Sequence, residues 1–386
     1  MPVIEKIAAW HDEMTALRRD IHAHPEIGFE EIRTSAIVAD KLVSYGIEVH
    51  RGIGKTGVVG VLKGAKGRGR TIGLRADMDA LPMEERTNLP YSSKIANRFH
   101  GCGHDGHTTM LLGAARYLAE TRNFAGTAVF IFQPGEEGCG GARAMLADGL
   151  FERFPCDELY GLHNMPNEEP NKIGIKPGTA MAGADFFDFH IKGRGSHGAR
   201  PEGSKDPVIV ATHLVSALQS IVSRNISPLR SAVVSVTQIH AGSAYNVVPE
   251  EATVSGTVRY LDREVNEQIR ERMRTIAAGL AASFEVEIVT DIRNVFDVLI
   301  NTEELVEGFA DAARDIVGAD LVYTKDEPVM GSEDFADMLY KVPGVYCTVG
   351  HAGSVQLHNP GFVLDDNILP VGASLLARVV EKRLAA

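Results

Sequence analysis

The densest run of reactive side chains is His100-Gly101-Cys102-Gly103-His104-Asp105-Gly106-His107, with three imidazoles, a thiol and a carboxylate in eight positions. Cys102 and His104, two apart, fall on one side of an extended segment and could reach one metal ion or a pair. Three readings are open on this run alone. It could be a loop of surface imidazoles around a packed thiol, a metal site, or a Cys102 nucleophile with a neighbouring histidine as its base.

The second informative stretch is Gln133-Pro134-Gly135-Glu136-Glu137-Gly138, directly after the apolar segment 127–132. It puts two adjacent carboxylates at the carboxyl end of an expected strand. Metal-assisted hydrolysis uses such a pair, one carboxylate coordinating while the other takes a proton from a water whose pKa the metal has lowered to roughly 7. A solvated acidic turn is the bland alternative. His163, in Tyr160-Gly161-Leu162-His163-Asn164, ends the next expected strand, and His358, in Gln356-Leu357-His358-Asn359-Pro360, follows a late strand by one loop. Asp77 and Asp79, in Arg75-Ala76-Asp77-Met78-Asp79, also terminate a strand. They either ligate a metal or orient ligating imidazoles from behind, the role expected of Asp79.

The elements that must position these residues follow from hydrophobic spacing. Apolar residues over 4–21 fit an opening helix, and a second helix is expected over 35–45. Segments 57–63 and 71–75 read as a strand pair joined by the polar tip 64–70. From there helix and strand alternate: helix 107–120, strand 127–132, helix 142–148, strand 158–162. Alternation of this kind means an α/β layer with a mainly parallel sheet flanked by helices, whose functional groups gather at the strands' carboxyl ends. Residues 185–292 break the pattern and read βαββαβ, the ferredoxin-like split, with Asp262 set to cap the helix 263–284. After Arg293 the α/β character returns, with a helix over 303–317, a strand over 345–349 and a closing helix through 375–380. The chain therefore divides as 1–184, an inserted lid or dimerisation domain 185–292, and 293–386.

Composition narrows the function. A chain of 386 residues, 44% hydrophobic and 23% charged, is an ordinary globular protein large enough for two packed units. Its net charge of -12, with no basic cluster, argues against nucleic acid as a partner. No signal-peptide pattern and no apolar run of membrane-spanning length occur, so a cytoplasmic protein without a membrane partner is expected. Cys102, Cys139, Cys156 and Cys347 are too few and too scattered for a disulfide framework. The run Gly52-Ile53-Gly54-Lys55-Thr56-Gly57 matches a dinucleotide-binding pattern, but a β-rich segment follows it where that motif needs a helix, so it reads as a glycine-rich turn.

Six motifs, 75–82, 100–107, 133–138, His163, Gly331-Ser332-Glu333-Asp334-Phe335 and His358, resemble in order the metal-dependent aminoacylase and carboxypeptidase family. The branch they resemble contains the hippurate hydrolases and the plant auxin-conjugate hydrolases, and the resemblance covers nearly the whole chain. It implies a zinc-peptidase-like catalytic domain holding two divalent metal ions, manganese, zinc, cobalt or nickel. Cys102, His104, Glu137, His163 and His358 match the family's ligands, and Glu136 its general base. Many relatives outside the branch carry His-x-Asp where Asp77-Met78-Asp79 stands, and a bridging carboxylate where Cys102 stands; the softer thiolate leaves metal identity open.

In the lid, the resemblance points to His197 as donor to the scissile carbonyl oxygen. Asn246, Arg259 and Gly331 are the candidates for binding substrate. The reaction expected is attack by a metal-bound hydroxide, generated by Glu136, on the acyl carbon of a small N-acyl amino acid, with lid closure bringing up His197 and a homodimer forming through the lid. A dipeptidase or carboxypeptidase on the same fold, a non-catalytic metal holder and a Cys102 thiol hydrolase are the rivals.

Overall fold

A computed structural model describes residues 3–385 apart from 352 and 354. The chain forms two compact units: Met1–Ala180 with Ile300–Glu327 and Asp334–Ala386, and Met181–Leu299 with Pro328–Glu333. The expected insertion, 185–292, falls inside the second unit, which also takes in a short return segment far along the chain.

In the first unit, among the described residues, eight strands make one sheet. Their order is Glu48–Ile53, Gly57–Lys63, Thr127–Gln133, Thr71–Asp77, Glu158–Met165, Gly344–Gly350, Ile173–Ile175 and Val322–Thr324. Thr71–Asp77 runs parallel to both Thr127–Gln133 and Glu158–Met165, and Gly344–Gly350 runs parallel to Glu158–Met165. Register then does the positioning. Asp77 is level with Gln133, and His163 with Thr348, so the chain leaves these strands at one edge of the sheet. The central strands are buried on both faces, as their near-continuous apolar composition requires. The helices His11–His22, His104–Thr121, Glu303–Val317 and Leu369–Arg383 contribute to the same core.

Two expectations need correction. Segments 57–63 and 71–75 are not neighbours: Thr127–Gln133 lies between them, and Gly57–Lys63 pairs instead with Glu48–Ile53. The link 64–70 does not close a hairpin but wraps around the start of the intervening strand, with Gly64 N donating to Gly126 O and Thr127 N to Arg70 O. The opening helix is two helices, Glu5–Ala8 and His11–His22, separated at Ala9 and Trp10. The break lets Trp10 sit under the Arg116 guanidinium, 3.9 Å from its ring centre.

The second unit has a four-stranded antiparallel sheet in the order Ala232–Ala241, Glu251–Tyr260, Gly183–Lys192, Glu287–Phe296. Helices Pro207–Ser220 and Arg263–Phe284 pack on one face over Phe187, Phe189, Leu214 and Met273, which completes the ferredoxin-like split. Asp206 caps the first by accepting from Val208 N, and Asp262 the second by accepting from Glu264 N and Val265 N. No helix among the described residues is long and apolar enough to cross a membrane.

The start of His104–Thr121 is anchored by a buried charge cluster. Asp105 accepts from His22 Nδ1 at 2.8 Å and from Arg18 Nη1 at 3.4 Å, and His22 Nε2 faces Glu85 at 3.3 Å. Burial opposes a charge on His22, but Asp105 and Glu85 outweigh it and carry the imidazole up to about 9. A histidine raised in this way lends stability that is complete below its unfolded pKa of about 6.5 and is lost as pH rises through the folded value. Thermal unfolding at pH 6.5 and pH 9.5 should therefore show the parent protein losing on the order of 3 kcal/mol more than His22→Gln over that interval. Parallel pH dependences in the two proteins would show that the cluster does not hold His22 charged.

Candidate metal centre

The site lies where the parallel strands of the first unit release the chain. Its geometry centres on Cys102 Sγ, which stands 3.3 Å from His163 Nε2 and 3.3 Å from His358 Nε2. His358 Nε2 is also 3.3 Å from Glu137 Oε1, and that oxygen is 3.9 Å from His104 Nε2. Two groups thus share the thiol, Cys102 with His104 and His163, and Cys102 with Glu137 and His358, their donor atoms within 4.8 Å of one another. Ligands at about 2.0–2.3 Å around a tetrahedral ion are separated by about 3.3–3.8 Å, so these spacings suit an ion in each group. His104 Nε2 and Glu137 Oε1 are buried with no hydrogen-bond partner among the described residues, as expected of donors reserved for a cation. Thiol, imidazole and carboxylate together make a donor set for a borderline divalent metal.

The partners of these side chains fix their protons. His163 Nδ1 donates to Asn164 O at 2.6 Å, which leaves Nε2 as a bare lone pair facing the thiol. Burial keeps this ring well below the usual imidazole range. Burial likewise raises the Cys102 thiol, with the neighbouring Glu137 charge adding to the effect. That is the reverse of what a free thiolate nucleophile needs, and it weighs against the thiol-hydrolase reading. His104 Nδ1 lies 3.3 Å from Asp79 Oδ1. Asp79 also accepts from Glu136 N and Glu137 N, each at 3.0 Å, so one carboxylate braces both an imidazole of the site and the turn that carries its acids.

Behind this layer is a network that sequence reasoning did not assign. His107 Nδ1 donates to Asp77 Oδ1 at 2.7 Å, while its Nε2 accepts from Asn164 N at 3.0 Å. Asn164 Nδ2 donates to Cys102 O at 2.6 Å, tying the thiol's backbone to the strand that carries His163. Arg75 Nη1 donates to Asp77 at 2.7 Å, its Nε to Gln133 Oε1 at 2.9 Å and its Nη2 to Asp334 Oδ1 at 3.1 Å. His107, Arg75, Gln133 and Asp334 all lie within the runs 75–82, 100–107, 133–138 and 331–335. Only Asn164, next to His163, carried a positional hint of its own.

Glu136 is buried, and its Oε1 accepts from Asp334 N at 3.4 Å. It groups with His104 and Glu137, within reach of the donor atoms.

The remaining candidates belong to the second unit. His197 and Asn246 adjoin on a small two-stranded ribbon, Ser196–His197 against Val247–Val248, with Gly198 N donating to Asn246 O at 2.8 Å. Ala199 N donates to His197 Nδ1 at 3.1 Å, so a neutral ring carries its proton on Nε2. Arg259 is half-buried and donates to Thr257 Oγ1 and Val258 O; among the described residues it meets no carboxylate. Gly331 O accepts from Ala182 N at 3.0 Å.

An open, mainly parallel sheet with a thiol, imidazoles and carboxylates gathered at its carboxyl edge defines a metal-dependent amidohydrolase. The family described as Peptidase family M20/M25/M40 matches residues 73–382, and the chain belongs to it. It is 44% identical over 385 residues to a hippurate hydrolase of Campylobacter jejuni subsp. jejuni, covering 100% of both chains. It is 36% identical over 380 residues to the IAA-amino acid hydrolase ILR1-like 2 of Arabidopsis thaliana, covering 97% of this chain and 85% of that one. Among solved structures it resembles the Bacillus subtilis YXEP protein, a dinuclear metal binding peptidase from the M20 family, with a TM-score of 0.83 and 34% identity over 98% of this chain and 99% of the other.

Because Cys102 belongs to both donor groups and His358 to one, their removal should differ. Elemental analysis of metal-loaded, dialysed protein should show Cys102→Ala losing most of its divalent metal and His358→Ala retaining about one ion per chain. Equal metal content in the two variants would count against a shared thiol.

Proposed function

We propose that the chain hydrolyses the amide bond of small N-acyl amino acids, hippurate-like or indole-acetyl-amino-acid-like, releasing a carboxylic acid and a free amino acid. The observation that carries this reading is the thiol common to two donor groups, with Glu136 beside them as a second carboxylate, itself buried. The two relatives support it, since hippurate and IAA-amino acids, the substrates they are named for, are both amides on an amino acid's nitrogen.

Cys102, His104, Glu137, His163 and His358 would hold two divalent ions, manganese, zinc, cobalt or nickel. Bound there, the ions would polarise the acyl carbonyl and acidify water. Glu136 takes the proton from the attacking water as the oxygen bonds to the acyl carbon. It then delivers that proton to the departing nitrogen as the carbon–nitrogen bond breaks, so one carboxylate serves as base and then acid. Asp79 keeps Glu136 and His104 in place for this exchange. His197, with its proton on Nε2, is the donor for the carbonyl oxygen as charge builds there. Arg259, with Asn246 and the Gly331 segment, is assigned to the substrate carboxylate, which a guanidinium can grip through two hydrogen bonds.

A cytoplasmic homodimer formed through the second unit completes the proposal. In that unit the edge strand Ala232–Ala241 pairs on one side only among the described residues and exposes Val233 and Ile239.

The test is hydrolysis of hippurate, indole-acetyl amino acids, N-acetyl amino acids and dipeptides by metal-loaded protein, before and after chelation. Amino acid release from the N-acyl substrates should stop on chelation and return with added metal. Glu136→Gln should lower kcat at least about 1,000-fold, and His197→Ala about 100-fold. Turnover confined to dipeptides would replace the N-acyl reading with a peptidase one. Activity that survives verified metal removal would end the metal mechanism.

A further inference from the structure

Glu31 is fully buried, belongs to no motif already discussed, and has no part in the reaction described above. Its Oε1 accepts from Gly135 N at 2.8 Å, and its Oε2 accepts from Thr56 Oγ1 at 2.6 Å. Gly135 immediately precedes Glu136. Three successive amides on the acidic turn therefore each donate to a buried carboxylate, Gly135 to Glu31 and the next two to Asp79. The segment leading to Glu31 touches the same machinery twice more. Ala80 N, just after Asp79, donates to Glu26 O at 2.8 Å, and a Cβ on Gly28 would lie 3.0 Å from Gly135 Cα, so backbone packs on backbone there.

Thr56 belongs to the glycine-rich run Gly52-Ile53-Gly54-Lys55-Thr56-Gly57 with its nucleotide-like pattern. In the fold this run is the turn between Glu48–Ile53 and Gly57–Lys63. Gly54, at φ 62°, has Met145 N 2.7 Å from where a Cβ would be, and its own amide donates to Asp148 Oδ2 at 2.8 Å. The glycine serves close approach: the hairpin tip lies against the helix Gly141–Ala147 that follows the acidic turn, and from there Thr56 reaches Glu31.

We infer that Glu31, braced by Thr56, is a positioning residue for Glu136: it holds the Gly135 amide and so sets the point from which the base extends toward the attacking water. This rests on Glu136 being the base. Gly141 N holds the Gly135 carbonyl at 3.0 Å and Asp79 holds the Glu136 and Glu137 amides, and Glu31 is the side chain that holds the Gly135 amide itself, next to the base. Misplacing a catalytic group by about 1 Å can cost about 100-fold in rate, whereas substrate binding by the second unit does not pass through this contact.

The experiment is a kinetic cycle on metal-loaded protein with the best substrate from the panel above, with kcat, KM, metal content and folded fraction measured on each sample. Glu31→Ala should lower kcat between about 10- and 100-fold, with KM within about 3-fold and metal content as in the parent. Glu31→Gln keeps an oxygen for Gly135 N, and Thr56 Oγ1 can turn to accept from its amide, so it should stay within about 3-fold of the parent. Glu136→Asp should cost at least about 10-fold less in the Glu31→Ala background than in the parent, because a base already out of place has less to lose.

Multiplicative effects of the two changes, an unchanged kcat in Glu31→Ala, or a loss explained by missing metal would each overturn the inference. If Glu31→Ala does not fold, the same cycle with Thr56→Val decides, with a several-fold loss and the same non-additivity expected and multiplicative effects again overturning it. A Glu136→Asp parent variant with undiminished kcat would instead remove the base assignment, and this inference with it.

Discussion

The turn 135–137 must send two neighbouring carboxylates into a buried site while leaving no amide of its own unpaired. The structure meets both demands by turning the amides backward. Gly135, Glu136 and Glu137 donate to Glu31 and Asp79, and the acidic side chains are left to face the donor atoms of Cys102, His104 and His358. Much else follows from this arrangement. Strand Thr71–Asp77 must lie beside Thr127–Gln133 so that Asp79 can reach the turn, and that adjacency is what displaces Gly57–Lys63 outward in the sheet. Gathering Asp77, Asp79, Glu136, Glu137 and Asp334 in one interior needs compensating charge, and Arg75 meets Asp77 and Asp334 directly.

Backbone groups and one buried carboxylate, rather than the surrounding solvent, decide which ring nitrogens carry protons. The carbonyl of Asn164 accepts from His163 Nδ1, Asp77 accepts from His107 Nδ1, and the amide of Ala199 donates to His197 Nδ1. In each case a group on one side of the ring defines the state of the other nitrogen, bare in His163 and protonated in a neutral His197. Asn164 ties two of these together, since its side chain and its own amide meet Cys102 O and His107 Nε2.

Much of this was readable from the chain. Strand and helix periodicity gave the α/β alternation and the βαββαβ unit because burial imposes those periods locally. Strand-end reasoning placed His163 and the Glu136–Glu137 pair at one edge of the sheet, because parallel strands in register release their ends together, whereas the full set of Cys102, His104, Glu137, His163 and His358 came from the family resemblance. What stayed hidden depends on which distant segments meet. The insertion of Thr127–Gln133 between two segments close in sequence leaves no trace in either one's composition. Glu31 looks like any charged residue opening a helix until Gly135 and Thr56 are seen against it. The return of 328–333 to the second unit follows from contacts with Ala182 that no local pattern announces.

The order of the donors along the chain bears on how the protein is made. Cys102, His104, Glu137 and His163 are synthesised before any of the second unit, whereas His358 and the strand Gly344–Gly350 that pairs beside Glu158–Met165 come only after it. A nascent chain thus carries all of one donor group throughout the synthesis of the inserted unit, while the other stays a residue short. The second donor group is completed only near the end of synthesis, and the side of Glu158–Met165 that pairs with Gly344–Gly350 stays uncovered until about the last ninth of the polypeptide is made.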